Sequence, residues 1–130
     1  MPAQVSEEIV IAAGPDELWP LVTDAQHFRD WYAFGGAAID LRPGGAMTLR
    51  WDEHGDFAAV VEAVVPPTSF SFRWLPAPGP LVEIDLDTVA GGTRVRIVET
   101  GELDDAAQSA LAWRNALGLL RDLAARRQLR

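Results

Sequence analysis

The longest helical pattern in the sequence runs from Asp104 to about Arg126, near the end of the chain. Apolar side chains recur there at alternating spacings of four and three residues, which places them on one face of a helix. This apolar stripe consists of Ala106, Ala110, Trp113, Ala116, Leu117, Leu120, Leu123 and Ala124. A helix of roughly 34 Å with a single apolar face is not stable alone in water. The rest of the chain is therefore expected to supply a broad apolar partner surface.

The two ends of this pattern carry the signals of a helix start and a helix stop. Asp104 is the predicted N-cap, and Arg126, Arg127 and Arg130 gather at the other end, where positive charge complements the helix dipole. Leu111 lies on the side opposite the stripe, so we expect it to be exposed or to contact another chain.

The segments before this helix predict one strand, two short helices and five or six further strands. β-Branched residues cluster within residues 5–12, and Pro15 and Thr23 or Asp24 begin two short helical patterns. From residue 46 onward apolar and polar side chains alternate, which indicates antiparallel strands with one buried face. One such run places on a single side Phe57, Ala59, Val61, Ala63 and Val65. We therefore expect an α+β fold in which a curved antiparallel sheet of six to seven strands wraps around the terminal helix.

A hairpin is predicted where Gly91 and Gly92 separate two alternating runs. If these glycines form a two-residue loop, Asp87 lies opposite Arg96 and Asp85 lies diagonal to it. An outward ion ladder of this kind adds a few tenths of a kcal/mol per pair and fixes the register. We favour this interpretation over a metal or catalytic acid cluster.

Composition and charge exclude several classes of function. A chain of 130 residues that is 48% hydrophobic can bury one proper core, so a single domain over residues 1–130 is expected. The absence of cysteine excludes disulfides, iron–sulfur clusters and thiolate zinc sites. A net charge of −8, without a basic stripe, disfavours nucleic acid as a partner. Glu62 interrupts the longest apolar run and no secretion signal is present, so we expect no membrane span and a cytoplasmic location.

Metal and cofactor motifs are missing from the sequence. His27 and His54 are far apart and lack carboxylates at recognisable ligand spacing. The glycine pairs Gly35-Gly36 and Gly44-Gly45 lack the strand-to-helix context of phosphate-binding loops, and no serine nucleophile motif or dinucleotide fingerprint occurs. We therefore expect neither a metal nor a cofactor.

Several short motifs, taken in order, resemble one known family. They are Glu17-Leu-Trp19 with Thr23-Asp24 and Trp31, Pro43-Gly-Gly45, Val64-Val-Pro66-Pro67, Phe72-Arg-Trp74, Gly91-Gly-Thr93-Arg94 and Ala112-Trp113-Arg114 with Leu117. This order resembles homologues of the activator of heat-shock-protein-90 ATPase, in the START-related helix-grip superfamily of birch pollen allergen relatives and polyketide cyclases. The resemblance implies a helix-grip domain with a hydrophobic cavity between the sheet and the terminal helix. It does not imply one activity, because the superfamily includes ligand carriers, cyclases, sensors and co-chaperones.

Inward-facing aromatic residues are the first candidates for contact with an apolar ligand. The predicted inward set is Trp51, Phe57, Phe72, Trp74 and Trp113, with Phe28, Trp31 and Phe34 near the mouth. Leu117 is expected to join Trp113 in the ceiling of the cavity. Each of these side chains could instead fill the core. As a set, five tryptophans interleaved with alanines favour a pocket.

Glu99 is the most informative polar residue, because alternation puts it on the inner face at the end of its strand. An unpaired carboxylate there is costly, so Glu99 should reach solvent at the rim or meet a partner such as Arg114 or a ligand. Arg114 and Arg121 flank the apolar stripe of the helix, where either could anchor an acidic ligand or remain solvated.

The sequence thus favours a non-enzymatic domain that binds a small hydrophobic molecule, with Glu99 or Arg114 orienting its polar end. Two alternatives stay open. One is a co-chaperone-like module that contacts a protein partner, and the other is a cyclase or hydrolase that uses Glu99 as its acid or base. The sequence does not distinguish a monomer from a homodimer.

Overall fold

The computed structural model describes residues 3–128, which form seven strands and three helices. In chain order these are β1 (Ala3–Ile11), α1 (Pro15–Thr23), α2 (Ala25–Trp31), β2 (Gly36–Ile39), β3 (Ala46–Trp51), β4 (Gly55–Val65), β5 (Ser69–Trp74), β6 (Leu81–Val89), β7 (Gly92–Gly101) and α3 (Ala106–Gln128). The strands form one antiparallel sheet in the order β1-β7-β6-β5-β4-β3-β2. Helix α3 packs on this sheet, and the helix-grip architecture is confirmed. Arg130, predicted at the basic end of α3, lies outside the described residues.

The apolar stripe of α3 faces the core as predicted. Its buried members are Trp113, Ala116, Leu117, Leu120, Leu123 and Ala124. Ala106 and Ala110 are partly buried against the same core, whereas Leu111 on the opposite side is 47% exposed. Burial of each large apolar side chain stabilises the fold by roughly 1.5–3 kcal/mol, so this stripe holds the helix on the sheet.

The start of α3 differs from the prediction by one residue. The helix begins at Ala106, and the side chain of Asp105 accepts a hydrogen bond of 3.0 Å from the backbone N–H of Gln108. Asp105 therefore satisfies a free donor of the first turn, and the N-cap assigned to Asp104 was wrong. Adjacent aspartates offer the same chemistry, and only the backbone path decides between them.

The β6–β7 hairpin forms, but its predicted register was wrong. Val89 pairs with Gly92, so the loop residues are Ala90 and Gly91 instead of Gly91 and Gly92. Gly91 has a φ of 89°, whereas Gly92 belongs to the strand, where an added Cβ would lie 2.0 Å from the carbonyl oxygen of Ile11. The resulting cross-strand partners are Asp87 with Arg94 and Asp85 with Arg96.

A bulge in β4 also changes the predicted facing of side chains. The pairing with β5 shifts between Val61 and Ala63, which leaves Glu62 as the extra residue. Glu62 points outward and accepts a hydrogen bond of 3.0 Å from Nε of Arg73. Val61 is buried, but Ala63 and Val65 are exposed, so the single inward face predicted for residues 57–65 ends at the bulge. Bulges of this kind bend a strand and increase its twist.

Hydrogen bonds join the two short helices to each other and the segment before α1 to the sheet. Nε1 of Trp31 in α2 donates to the carbonyl oxygen of Leu21 in α1 at 2.8 Å. The buried hydroxyl of Thr93 in β7 donates to the carbonyl oxygen of Ala13 at 2.6 Å. Asp24 caps α2 by accepting from the backbone N–H of Gln26.

None of the helices within residues 3–128 is long and apolar enough to cross a membrane.

Replacement of Thr93 by valine should lower the free energy of unfolding by about 1–3 kcal/mol, because it leaves the carbonyl of Ala13 without its donor. Urea denaturation of the wild type and of Thr93→Val measures the difference. Thr88 is the matched control, since it lies opposite Thr93 in the hairpin but is exposed. Equal losses for Thr88→Val and Thr93→Val would contradict a role for the buried hydroxyl.

Candidate functional site

An open pocket of about 430 Å³ lies between the sheet and the first half of α3. Its lining residues are Tyr32, Trp51, His54, Phe57, Trp74, Glu99, Gln108, Ser109, Ala112 and Trp113. The volume is within the range of pockets that hold small organic molecules. Half of the lining residues are aromatic, and Glu99 is the lining residue that carries a carboxylate.

The strands bring three of the aromatic side chains together at one end of the sheet. Trp51 is the last residue of β3, Trp74 is the last residue of β5, and Phe57 lies between them in β4. The ring centroids of Trp51 and Phe57 are 5.7 Å apart, and those of Trp51 and Trp74 are 6.4 Å apart. The first pair is edge-to-face, with planes inclined by 70°, and the second is tilted by 46°. Trp51 and Trp74 are half-buried, and Phe57 is 43% exposed.

Glu99 joins the sheet to α3 through two indole groups. Its Oε1 accepts a hydrogen bond of 2.9 Å from Nε1 of Trp113, and its Oε2 accepts one of 3.0 Å from Nε1 of Trp74. Glu99 is only 6% exposed, so the carboxylate is held in the interior by donors from α3 and β5. An indole N–H is a donor only, which makes tryptophan a suitable partner for an acceptor-only carboxylate.

Tyr32 completes the aromatic wall next to Glu99. Its ring stacks on Trp113 with centroids 4.0 Å apart and planes inclined by 18°, and it meets Trp51 edge-on at 5.0 Å. Nε1 of Trp51 donates to the backbone carbonyl of Tyr32 at 2.9 Å, which fixes both residues. The Tyr32 hydroxyl has no hydrogen bond to any residue in the part of the chain that the structure describes. Burial, aided by the negative charge of Glu99, raises the pKa of Tyr32 well above its ordinary value near 10.

The predicted site residues divide into three groups in the structure. Those that line the pocket are Trp51, Phe57, Trp74, Glu99 and Trp113. Those that lie in the closed core behind it are Phe28, Trp31, Phe72 and Leu117, each at most 2% exposed. The core group supports the wall: Phe72 meets Trp74 at 5.4 Å and Phe28 meets Tyr32 at 5.9 Å. These four side chains fill the core, the alternative to a place at the pocket, because alternation shows which face a residue occupies but not where that face is open.

Phe34 and Arg114 lie away from the pocket. Phe34 is 57% exposed in the loop after α2 and is not among the residues that line it. Arg114 points to the outside, where its Nε donates to Glu7 of β1 at 3.0 Å, and this partner raises the pKa of Arg114. Of the alternatives stated for Glu99, a pair with Arg114 does not form, since the guanidinium already has the carboxylate of Glu7.

Sequence reasoning missed five lining residues: Tyr32, His54, Gln108, Ser109 and Ala112. Ser109 and Ala112 could have been found from spacing, because Ser109 lies four residues before Trp113 and three residues before Ala112 on the same helix. Tyr32 and His54 come from a helix end and a turn, and no periodic pattern identifies which way such side chains point. Across residues 3–128, no group of three or more histidines and carboxylates converges as metal ligands.

Comparison with known proteins identifies the family of this chain. The family model described as Activator of Hsp90 ATPase homolog 1-like protein matches residues 12–125. No curated protein sequence matches the chain.

Solved structures share the fold at low identity. Protein MLL2253 from Mesorhizobium loti has a TM-score of 0.84 at 22% identity, covering 95% of this chain and 98% of its own. The AHSA1-like protein from Aeromonas hydrophila has a TM-score of 0.80 at 23% identity, covering 98% and 96%. The Aha1 dimer from Colwellia psychrerythraea has a TM-score of 0.79 at 19% identity, covering 92% and 94%. At these identities the likeness establishes the fold alone.

Tyr32 should resist ionisation in the folded protein. The chain has one tyrosine, so tyrosinate absorbance reports Tyr32 alone. Because the folded pKa is raised, absorbance should stay low through pH 10 in buffer and rise near pH 10 in urea. The unfolded state then releases a proton that the folded state keeps, so stability falls as pH rises above about 10. Ordinary titration in the folded protein would contradict this prediction.

Trp113→Phe should lower the free energy of unfolding by about 1.5–3 kcal/mol beyond the packing loss, because Oε1 of Glu99 loses its donor. The control is Trp19→Phe, since the half-buried Trp19 makes no hydrogen bond from its indole to a described residue. Urea denaturation of both variants measures the excess. Equal losses would show that the bond to Glu99 contributes little.

Proposed function

The chain belongs to the Activator of Hsp90 ATPase homolog 1-like family, and from this basis we propose that it binds a small, largely apolar molecule without converting it. The binding site is the pocket between the sheet and α3. The observation that carries the proposal is the group of aromatic side chains left accessible there, with Phe57 43% exposed and Trp51 and Trp74 half-buried. A molecule that covers these rings gains about 25 cal/mol for each Å² of apolar surface removed from water.

The polar groups of the pocket support orientation of the ligand. The Tyr32 hydroxyl can donate to a ligand oxygen or accept from a ligand N–H, since no described residue occupies it. Each oxygen of Glu99 has one indole donor and can accept a further hydrogen bond. A few fixed polar groups within an apolar lining are typical of sites that select small molecules.

The two alternative functions gain less support from the geometry. A role for Glu99 as an acid or base is less favoured, because both of its oxygens already hold Trp74 and Trp113 in place by hydrogen bonds. A protein-interaction surface needs a contiguous exposed apolar patch. The large exposed apolar side chains of residues 3–128 belong to β1, β4, α3 and three separate loops.

We also infer that residues 1–130 act as one domain, since the seven described strands belong to one sheet.

Phe57→Ala tests the proposal with little risk to folding, because Phe57 is already 43% exposed and lies outside the buried core. The probe is N-phenyl-1-naphthylamine, a neutral molecule whose fluorescence rises on entering an apolar site. We expect the wild type to bind it and Phe57→Ala to weaken the dissociation constant about fivefold, the equivalent of roughly 1 kcal/mol of lost apolar contact.

Phe34→Ala is the matched control, since it removes the same side chain from an exposed position outside the pocket. It should leave the dissociation constant unchanged. No fluorescence rise with the wild type, or the same weakening in both variants, would contradict binding in the pocket. Native mass spectrometry after incubation with a lipid and metabolite extract then identifies what the wild type retains.

A further inference from the structure

The aromatic pocket continues into a second, acidic cleft. This cleft has a volume of about 360 Å³ and shares with the pocket Glu99, Gln108 and Ser109. Its other lining residues are Pro80, Glu102, Leu103, Asp104 and Asp105. An entering molecule therefore meets four carboxylates, Glu99 among them, at the start of α3 and next to a wall of aromatic rings.

Among the described residues, those that line the pocket and the cleft supply little positive charge. Neither lining set contains an arginine, and the exposed His54 is the one residue in either set that can become cationic. The ion pairs of the described residues do not include Glu99. Its charge is met by two neutral indole donors at 2.9 and 3.0 Å. Burial of a carboxylate without a cation costs free energy, and a positively charged ligand would offset that cost.

The aromatic wall offers a second, independent attraction for a cation. Rings of Trp, Tyr and Phe attract cations to their faces through the ring quadrupole, and tryptophan does so most strongly. Three tryptophans, one tyrosine and one phenylalanine line this pocket. Organic ammonium groups suit such a lining, because their methyl or methylene groups also gain from apolar contact. A bare metal ion does not, since it needs several converging oxygen ligands.

We propose that the ligand of this pocket is an amphiphilic organic cation, with an ammonium group near Glu99 and an apolar body against Trp51, Phe57 and Trp74. This inference rests on the proposed function and names its ligand class. The acidic cleft then attracts the ligand and the aromatic wall holds it. A carboxylate-bearing ligand of the same shape is rejected, because it would meet like charge at Glu99 and at the rim.

Three probes of the same aromatic body test the charge preference. They are (2-naphthylmethyl)trimethylammonium, its uncharged carbon isostere 2-neopentylnaphthalene, and the carboxylate of 2-naphthaleneacetic acid. Displacement of N-phenyl-1-naphthylamine ranks all three, and calorimetry measures the cation directly. We expect the cation to bind about tenfold more tightly than its isostere at about 20 mM salt, with a smaller margin at about 500 mM salt. The carboxylate should bind weakest.

Two charge-removing variants locate the preference. Glu99→Gln should abolish most of the margin between the cation and the isostere, and Asp104→Asn should reduce it in part. Asp122→Asn is the control, since it removes the same charge from α3 at 14 residues, roughly 20 Å, beyond Gln108. If Glu99→Gln fails to fold, the ranking of the three probes on the wild type still decides the question.

The outcomes separate the two proposals. Equal binding of the cation and the isostere, or preference for the carboxylate, would overturn the cation inference while leaving a ligand pocket in place. A margin of undiminished size in folded Glu99→Gln would also overturn it. If neither the neutral reporter nor the cation binds the wild type, the proposed function fails together with the inference.

Discussion

The hydrogen bonds between Glu99 and two tryptophans are the constraint on which the rest of the site depends. A carboxylate in the interior must receive donors, and here Trp74 brings one from β5 and Trp113 brings the other from α3. These bonds fix the distance between the helix and the sheet at the point where the core opens. Leucines could fill that space more simply, but they could not satisfy the carboxylate. Two hydrogen bonds to Glu99 therefore connect α3 to the sheet where the buried part of the apolar stripe begins, and the pocket lies beside them.

The aromatic side chains form a gradient from closed core to open pocket. Phe28 and Phe72 are fully buried, Trp51 and Trp74 are half-buried, and Phe57 is largely exposed. The buried rings hold the half-buried ones in place through inclined contacts, so the accessible surface is backed by packed groups instead of by water. A site of this kind is preformed, which lowers the entropy cost of binding. The same gradient explains how one chain can have both a well-packed core and an accessible apolar surface.

Local patterns predicted the fold well because periodicity is a local property of the sequence. The apolar stripe of α3 and the alternation of the strands predicted a curved sheet wrapped around the terminal helix, and the alternation also placed Glu99 on the inner face. What failed depended on distant contacts: Arg114 meets Glu7, 107 residues away, and the short β2 is recognisable only beside β3. The bulge at Glu62 and the one-residue differences at the hairpin and at α3 depend on the exact backbone path. The core and pocket aromatics look alike in sequence, so the location of the opening could not be read from it.

Some residues of the pocket lining make hydrogen bonds that hold the site together, and others only line the space. Trp51, Trp74 and Trp113 each donate to a group on another element, and their replacement loosens the frame. Phe57 and Ala112 have no such bond, and they line the same space. Substitutions at these two positions can therefore accumulate at little cost to stability. The fold thus separates residues whose hydrogen bonds hold the site together from residues that only shape the space in which a ligand would lie.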